Sequence, residues 1–312
     1  MNPIRNILVI VDPTAKQQPA VAKGALLAEK FEARLDLFIC DTKVARELRY
    51  AEHMRESPRT PFQVDLREQL ESLAAPLRDR GIDVTTEVVA ADPLHVALLE
   101  RVKHTCAGLV IKDTHHHTVA QRTFLTNTDW ELIRGCPVPL LLVKPTPWSS
   151  KYRIGAALDP GHLDDKPRLL DRSILEEASR FAQALGGELH AIHTYIPAAM
   201  IAAAAVTVPP LLIDIPAEAL EEERKLKLKE LIALTSDLRL PGDNIHLETG
   251  GVDEVLCRLT RAYGIDIMAM GAISRRRLKR LIVGSTAEAV LEQLPCDMLV
   301  VKTPDFAELV VL

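Results

Sequence analysis

Gly271, Ser274, Gly284 and Ser285 have the types and spacing of an anion-binding turn. Two residues separate Gly271 from Ser274, nine separate Ser274 from Gly284, and Ser285 and Thr286 follow at once. The apolar run Ile265 to Met270 before them reads as a buried strand. Gly284-Ser285-Thr286-Ala287-Glu288 reads as the start of a helix. Small residues at a strand end let a phosphate approach the backbone, and a helix N-terminus offers unpaired N–H groups with partial positive charge. The chemistry this implies is phosphate binding. Inside the turn lie Arg275, Arg276 and Arg277, followed by Lys279 and Arg280. Arginine can grip a phosphate with two parallel hydrogen bonds. A solvated loop or an interface patch is the competing reading of the same run.

Other reactive patterns are sparse. His115, His116 and His117 are consecutive. In an extended loop His115 and His117 point the same way and supply two of the three or four ligands that zinc needs. Cys106 or an aspartate would have to complete the set, so the expectation is a polar histidine loop without metal. His190 and His193 fall on opposite faces of one strand and read as packed or edge histidines. Asp164, Asp165 and the cluster Glu221-Glu222-Glu223 read as surface charge. The chain has no Gly-x-Ser-x-Gly elbow, no His-Glu-x-x-His and no Gly-x-x-x-x-Gly-Lys-Ser/Thr loop. The expectation is a binding protein rather than an enzyme, with a slow ATPase as the enzymatic alternative.

The elements that must position these residues come in two copies. Arg5 to Pro13 and Arg153 to Pro160 match, each an apolar strand ending in Asp-Pro, at Asp12 and Asp159. Cys136 to Lys144 and Cys296 to Lys302 are each a closing strand ending in Val-Lys. The hydrophobic pattern predicts strands near 5–11, 34–40, 83–89, 107–112 and 138–143, then 153–158, 187–193, 244–249, 265–270 and 297–301. Helices are predicted near 18–31, 62–80, 93–104 and 127–135, and again near 171–185, 216–238, 252–263 and 285–294. Strands that are apolar throughout and alternate with helices indicate a parallel sheet covered on both faces. The expected fold is α/β: two tandem repeats, each an open, doubly wound, five-stranded parallel sheet of Rossmann-like form. The repeats are placed at 1–147 and 151–312, with the junction at Trp148-Ser149-Ser150-Lys151. Ligands of such sheets bind beyond the carboxyl ends of the strands. Asp12, Asp159 and the segments 113–127 and 271–284 fall there.

Composition sets limits. At 312 residues the chain has room for two ordinary domains. A content of 47% hydrophobic and 26% charged residues is that of a soluble globular protein. The net charge of -5 argues against general nucleic-acid binding. Five scattered cysteines do not make a disulfide framework. The N-terminal apolar run is too short for a signal peptide, and no stretch is long enough to span a bilayer. The expected location is the cytoplasm.

The internal repeat, the Asp-Pro strand ends and the Gly271 to Ser285 turn together resemble the universal stress protein family in its tandem form. The family's nucleotide loop reads Gly, two residues, Gly, nine residues, Gly, then Ser or Thr; here Ser274 stands at the second glycine. The first half narrows the likeness. Lys112-Asp113-Thr114-His115-His116-His117 is followed by Thr126-Asn127-Thr128-Asp129-Trp130 and Cys136-Pro137. This is similar to the degenerate first domain of the family's E-type branch. The resemblance implies a cytoplasmic stress-response protein, paired as an internal pseudo-dimer or a homodimer. The ligand it implies is ATP or a related nucleotide, bound mainly in the second domain. Asp159 with Pro160, and Gly271, Ser274, Gly284, Ser285 and Thr286, match the nucleotide-contacting positions. In the first domain Asp12 matches the acidic position, while Asp113, His116, Thr126 and Asn127 replace the loop glycines, which implies no ATP there.

Two further function classes remain open at this stage. A degenerate first loop suits a scaffold or interaction protein. The apolar segment Ala198 to Ile213, broken by Pro209 and Pro210, packs on the partner domain, folds back as an extra helix, or lines a channel for an apolar-tailed ligand.

Overall fold

Runs of Ile, Leu and Val flanked by turn residues become the sheet, and Ala/Leu-rich segments become its covering helices. The computed structural model describes residues 3–54, 62–117, 122–124, 127–160, 169–205, 216–272, 290, 292–304 and 306. Two compact units emerge, one built on residues up to Pro147 and from Asp297 onward, the other on Trp148–Cys296.

In the first unit the order is β1 (Asn6–Ile10), α1 (Pro19–Phe31), β2 (Arg34–Cys40), α2 (Thr42–Met54), α3 (Phe62–Asp79) and β3 (Val84–Val89). It continues with α4 (Leu94–Thr105), β4 (Leu109–Asp113), β5 (His115–His117), β6 (Arg122–Phe124), α5 (Asn127–Gly135) and β7 (Leu140–Val143). Strands β3-β2-β1-β4-β7 lie side by side, all parallel, with Ile7 opposite Leu35 on one flank and Leu109 on the other. Ile7, Leu8 and Val9 are wholly buried, as a sheet covered on both faces requires. β5 and β6 form a separate antiparallel pair, His115 opposite Phe124 and His117 opposite Arg122.

The second unit repeats the plan with β8 (Arg153–Leu158), α6 (Leu170–Leu185), β9 (Glu188–Tyr195), α7 (Ala198–Ala205) and α8 (Ala217–Thr235). Then come β10 (Ile245–Thr249), α9 (Val252–Tyr263) and β11 (Ile267–Gly271). Strands β10-β9-β8-β11 are parallel and neighbours in that order. Corresponding helices end alike: α1 and α6 on left-handed Glu32 and Gly186, α4 and α9 on left-handed Cys106 and Gly264. The last strand, β12 (Asp297–Val301), closes the second repeat in sequence. By packing it lies in the first unit, antiparallel to β7, with Leu299 opposite Leu141.

Two buried ion pairs pin the first unit. Lys23 Nζ on α1 lies 2.6 Å from Asp297 Oδ2 and donates to the Lys144 carbonyl at 2.9 Å; Asp297 Oδ1 accepts the Lys144 N–H at 2.8 Å. Lys112 Nζ on β4 lies 2.8 Å from Asp129 Oδ1 on α5. In the second unit Asp266 holds the start of the repeat, accepting from the Ser149 N–H at 2.7 Å and the Arg153 N–H at 2.9 Å.

Two elements depart from the sequence expectation, and a third takes one of the readings left open. α2 is a helix where the hydrophobic pattern predicts no element. Asp41 starts it, its Oδ1 accepting the N–H groups of Lys43 and Val44 at 3.0 Å each, as an N-cap does. The histidine segment pairs as a strand rather than running as an open loop. The apolar segment after β9 begins as helix α7; its remainder, 206–215, lies outside the described residues.

Candidate functional site

In each repeat the first strand has the second on one side and the fourth on the other, so the chain reverses its winding between them. That reversal opens a crevice at the carboxyl ends of β8 and β11. A cavity of about 640 Å³ fills it, a volume within the range of small-molecule sites. Its floor is apolar: Ala157 and Leu158 from β8, Ile192 from β9, Leu256 from α9 and Met270 from β11. α6 contributes Leu170 and Ile174, and α7 contributes Ala198 and Ile201. Polar groups ring the wall and mouth, among them Asp159, His193, Thr194, Glu223, Lys227 and Asp253.

Most of these polar groups have partners. Both Glu223 oxygens accept the Ala198 N–H at 3.2 Å, capping α7. Thr194 Oγ1 donates to the Gly250 carbonyl at 3.1 Å. Lys227 Nζ is 3.6 Å from Glu230. The Asp159 N–H donates to Asp171 Oδ1 at 3.0 Å, which fixes the strand end. His193 is 2% exposed, and its Nδ1 lies 2.9 Å from the Leu158 carbonyl. A carbonyl only accepts, so Nδ1 carries the proton. Burial lowers the His193 pKa, against the Leu158 hydrogen bond and the nearby Asp159, which raise it.

Two of the sequence-selected residues, Asp159 and Gly271, thus line one cavity. Gly271 is constrained in another way too. A Cβ there would sit 2.7 Å from Leu170 Cδ2 and 3.0 Å from Ile174 Cδ1, so α6 packs against the bare glycine. Pro160 follows Asp159 in the chain and is partly buried. Ser274, Arg275, Arg276, Arg277, Gly284, Ser285 and Thr286 lie outside the described residues. His193 and Glu223, read from the sequence as a packed histidine and a surface charge, also line the cavity, as do Lys227 and the Gly250-Gly251 pair, which the sequence does not single out. The one available signal was position: His193 stands near the carboxyl end of a strand in a sheet whose ligands bind at that end.

At the corresponding place in the first unit the two acidic residues make local hydrogen bonds. Asp12 Oδ1 accepts the Thr14 N–H at 2.8 Å and its hydroxyl at 2.6 Å, forming a tight turn. Asp113 Oδ1 accepts the Ala20 N–H at 2.8 Å and so caps α1 from the end of β4. Its Oδ2 is buried without a hydrogen-bond partner. Asn127 opens α5, while Thr126 and the side chains of His115, His116, His117 and Asn127 lie outside the described residues. Among the described residues no group of three or more His, Cys, Asp or Glu side chains is placed to hold a metal.

Burial raises the Asp113 pKa from 3.8 to about 6, the Ala20 hydrogen bond and Lys112 opposing it and Asp12 reinforcing it. A carboxyl whose folded pKa lies above its unfolded one destabilises the fold when ionised, fully so above the folded value. Asp113→Asn keeps the acceptor for Ala20 and removes the charge. It should stabilise the protein by about 2 kcal/mol at pH 7–8. The gain should shrink as pH falls through about 6 toward 3.8. Urea melts of both proteins across that range check the prediction.

His190 and His193 are both buried, at 4% and 2% exposure, and lie on opposite faces of β9. His190 Nδ1 is 3.0 Å from His246 Nε2, and Tyr263 covers His246 with 4.2 Å between ring centroids. This pair is at the amino ends of β9 and β10, away from the cavity. Cys136 and Cys296 are buried small residues, each just before a closing strand. No helix among the described residues is long and apolar enough to cross a membrane.

The Universal stress protein family model matches residues 3–144 and again 164–302. Universal stress protein E of Salmonella typhi is 25% identical over 311 residues, covering 97% of this chain and 95% of its own length. A functionally unknown protein from Pseudomonas aeruginosa PAO1 has a solved structure that matches with a TM-score of 0.74 and 25% identity. That match covers 98% of this chain and 95% of the other. A universal stress protein from Archaeoglobus fulgidus, 16% identical, shares the fold with a TM-score of 0.69, covering 95% of this chain and 98% of its own.

Proposed function

The chain belongs to the universal stress protein family, and from that premise we propose that it is a cytoplasmic stress-response protein whose second domain binds a nucleotide such as ATP. One observation carries the reading. Asp159, at the end of the first strand of the repeat, and Gly271, at the end of the fourth, line the same cavity at the switch point of the sheet. An apolar floor suits a base, and a rim bearing Asp159 suits ribose hydroxyls. The Gly271 backbone leads directly into the segment that carries Ser274, Gly284, Ser285 and Thr286. Those residues, with Arg275, Arg276 and Arg277, are the proposed phosphate contacts. In the first domain Asp113 already occupies the N-terminus of α1, which supports assigning the ligand to the second. The two repeats, proposed as domains 1–147 and 151–312, serve as an internal pair. The reading is binding rather than catalysis, because the sequence carries none of the nucleophile, metalloprotease or P-loop motifs sought in it.

Isothermal titration with ATP, ADP, AMP and a nucleotide-sugar tests this. Saturable binding of about one nucleotide per chain, with Kd on the order of 1–100 µM, is expected. Absence of heat with all four overturns it.

A second reading has its own observation. Ile196 and Ile201 line the cavity yet are 49% and 56% exposed, with Met200 beside them at 51%. An apolar rim of this kind suits a ligand with an apolar tail. Denaturing mass spectrometry of freshly purified protein would then release such a molecule.

A further inference from the structure

Among the described residues that line the cavity, the buried side-chain polar atom without a hydrogen-bond partner is Nε2 of His193. A buried polar atom left unpaired is costly, and proteins seldom leave one without a use. The tautomer makes this atom specific. Nδ1 donates to the Leu158 carbonyl at 2.9 Å. A neutral imidazole has one N–H, so Nε2 presents a bare lone pair and can only accept. The ring also lacks freedom to exchange these roles. Flipping it would turn a carbon toward the Leu158 carbonyl and lose that bond. On the same strand, Tyr195 stacks alongside with a 16° interplanar angle and 6.1 Å between centroids.

The surroundings narrow what can approach. His193 is fully inside, next to the apolar floor made by Leu158 and Ile192, whereas the charged groups stand nearer the rim. A flat apolar ring suits that depth, and the donor meeting Nε2 belongs on its edge. We infer that His193 is the specificity-determining residue of the site, accepting a hydrogen bond from the exocyclic amine of an amino-substituted purine and rejecting a purine with a carbonyl there. This rests on the nucleotide reading above and goes beyond it by naming the base class and the residue that selects it. A carbonyl oxygen set against the Nε2 lone pair leaves two buried acceptors facing each other. Sites that hydrogen-bond one ligand group discriminate most strongly against analogues that cannot reciprocate.

The test compares ATP with inosine triphosphate, which differs in carrying an oxo group for the amine. Wild-type protein should bind ATP at least about 10-fold more tightly. His193→Gln should bind both within about 3-fold of each other, because a rotatable amide can present either an acceptor or a donor. His193→Leu should lose ATP affinity and show no preference, and thermal melts of both variants report folding. If wild type binds neither nucleotide, the nucleotide reading itself falls. If wild type binds both equally, or if His193→Gln keeps the full preference for ATP, the nucleotide reading stands and the assignment to His193 is wrong.

Discussion

Replacing Asp297 by alanine should destabilise the first unit by about 3–5 kcal/mol. Asp297 is 2% exposed and bonds Lys23 Nζ at 2.6 Å and the Lys144 N–H at 2.8 Å. Removing the carboxylate takes the counter-ion at 2.6 Å away from the buried Lys23 ammonium, which keeps its hydrogen bond to the Lys144 carbonyl. It also removes the acceptor that Asp297 Oδ1 offers the Lys144 N–H at 2.8 Å. A buried charge stripped of its counter-ion costs far more than the pair contributes as a pair. The prediction therefore includes a cycle. Lys23→Met should be costly in the wild-type background and much less so in Asp297→Ala, because the stranded charge is then gone. The chain has two tryptophans, Trp130 in the first unit and Trp148 in the second. Single-tryptophan versions of each variant let urea melts report the units separately. A loss below about 1 kcal/mol on the Trp130 signal would contradict the stated role of the pair.

Gly271→Ala should weaken nucleotide binding by about 10-fold or more, with a stability cost of about 1–3 kcal/mol. The added methyl carbon would fall 2.7 Å from Leu170 Cδ2, 2.9 Å from Leu170 Cγ and 3.0 Å from Ile174 Cδ1. Leu170 and Ile174 are 2% and 1% exposed, so neither side chain has free space behind it. Both also line the cavity, and the space open to them is the cavity itself. Relief of the clash narrows the site or bends the end of β11 away from it. Calorimetric titration of the variant with ATP measures the first effect and a thermal melt the second. Unchanged affinity in a folded variant would show that the Leu170 side of the cavity does not bound the ligand.

The fold was legible because its signals are redundant. β2, β8, β12 and α9 stand where the hydrophobic pattern places them, and other matched elements differ at their ends by a few residues. A doubly wound sheet makes this easy, since each strand is an unbroken apolar run between turn residues. The repeat then supplies every element twice. α2 was missed for a physical reason. Leu48 and Ala51 are scattered among Lys43, Arg46, Glu47 and Arg49, and the informative residue was its cap, Asp41. The antiparallel pairing of β12 with β7 leaves no mark in either strand, because Leu140-Leu141-Leu142 would suit a parallel neighbour equally well.

The candidate site was only partly readable. Asp159 and Gly271 announce themselves by strand-end position and type. Lys227 and Glu223 are hidden in a helix rich in Lys and Glu, where a charge facing the cavity looks like any solvated one. His193 was read as a packing residue, and it is packed. Its unpartnered Nε2 becomes visible only when the Leu158 carbonyl is placed against Nδ1, and no spacing rule links positions 158 and 193. Asp36 shows the reverse case. It is a buried aspartate on β2, and the structure gives it to Arg101, with two bonds at 2.7 Å, and to Thr85 at 2.9 Å, a structural network in the first unit.

The most direct measurement is photolabelling with 8-azido-ATP followed by peptide mapping, with unlabelled ATP as competitor. Adducts should fall in the second domain on the segments bearing Asp159, His193 to Ile201 and Gly250 to Asp253, and excess ATP should remove them. Adducts confined to the first domain, or labelling that ATP does not compete away, would contradict a nucleotide site in the second-domain cavity.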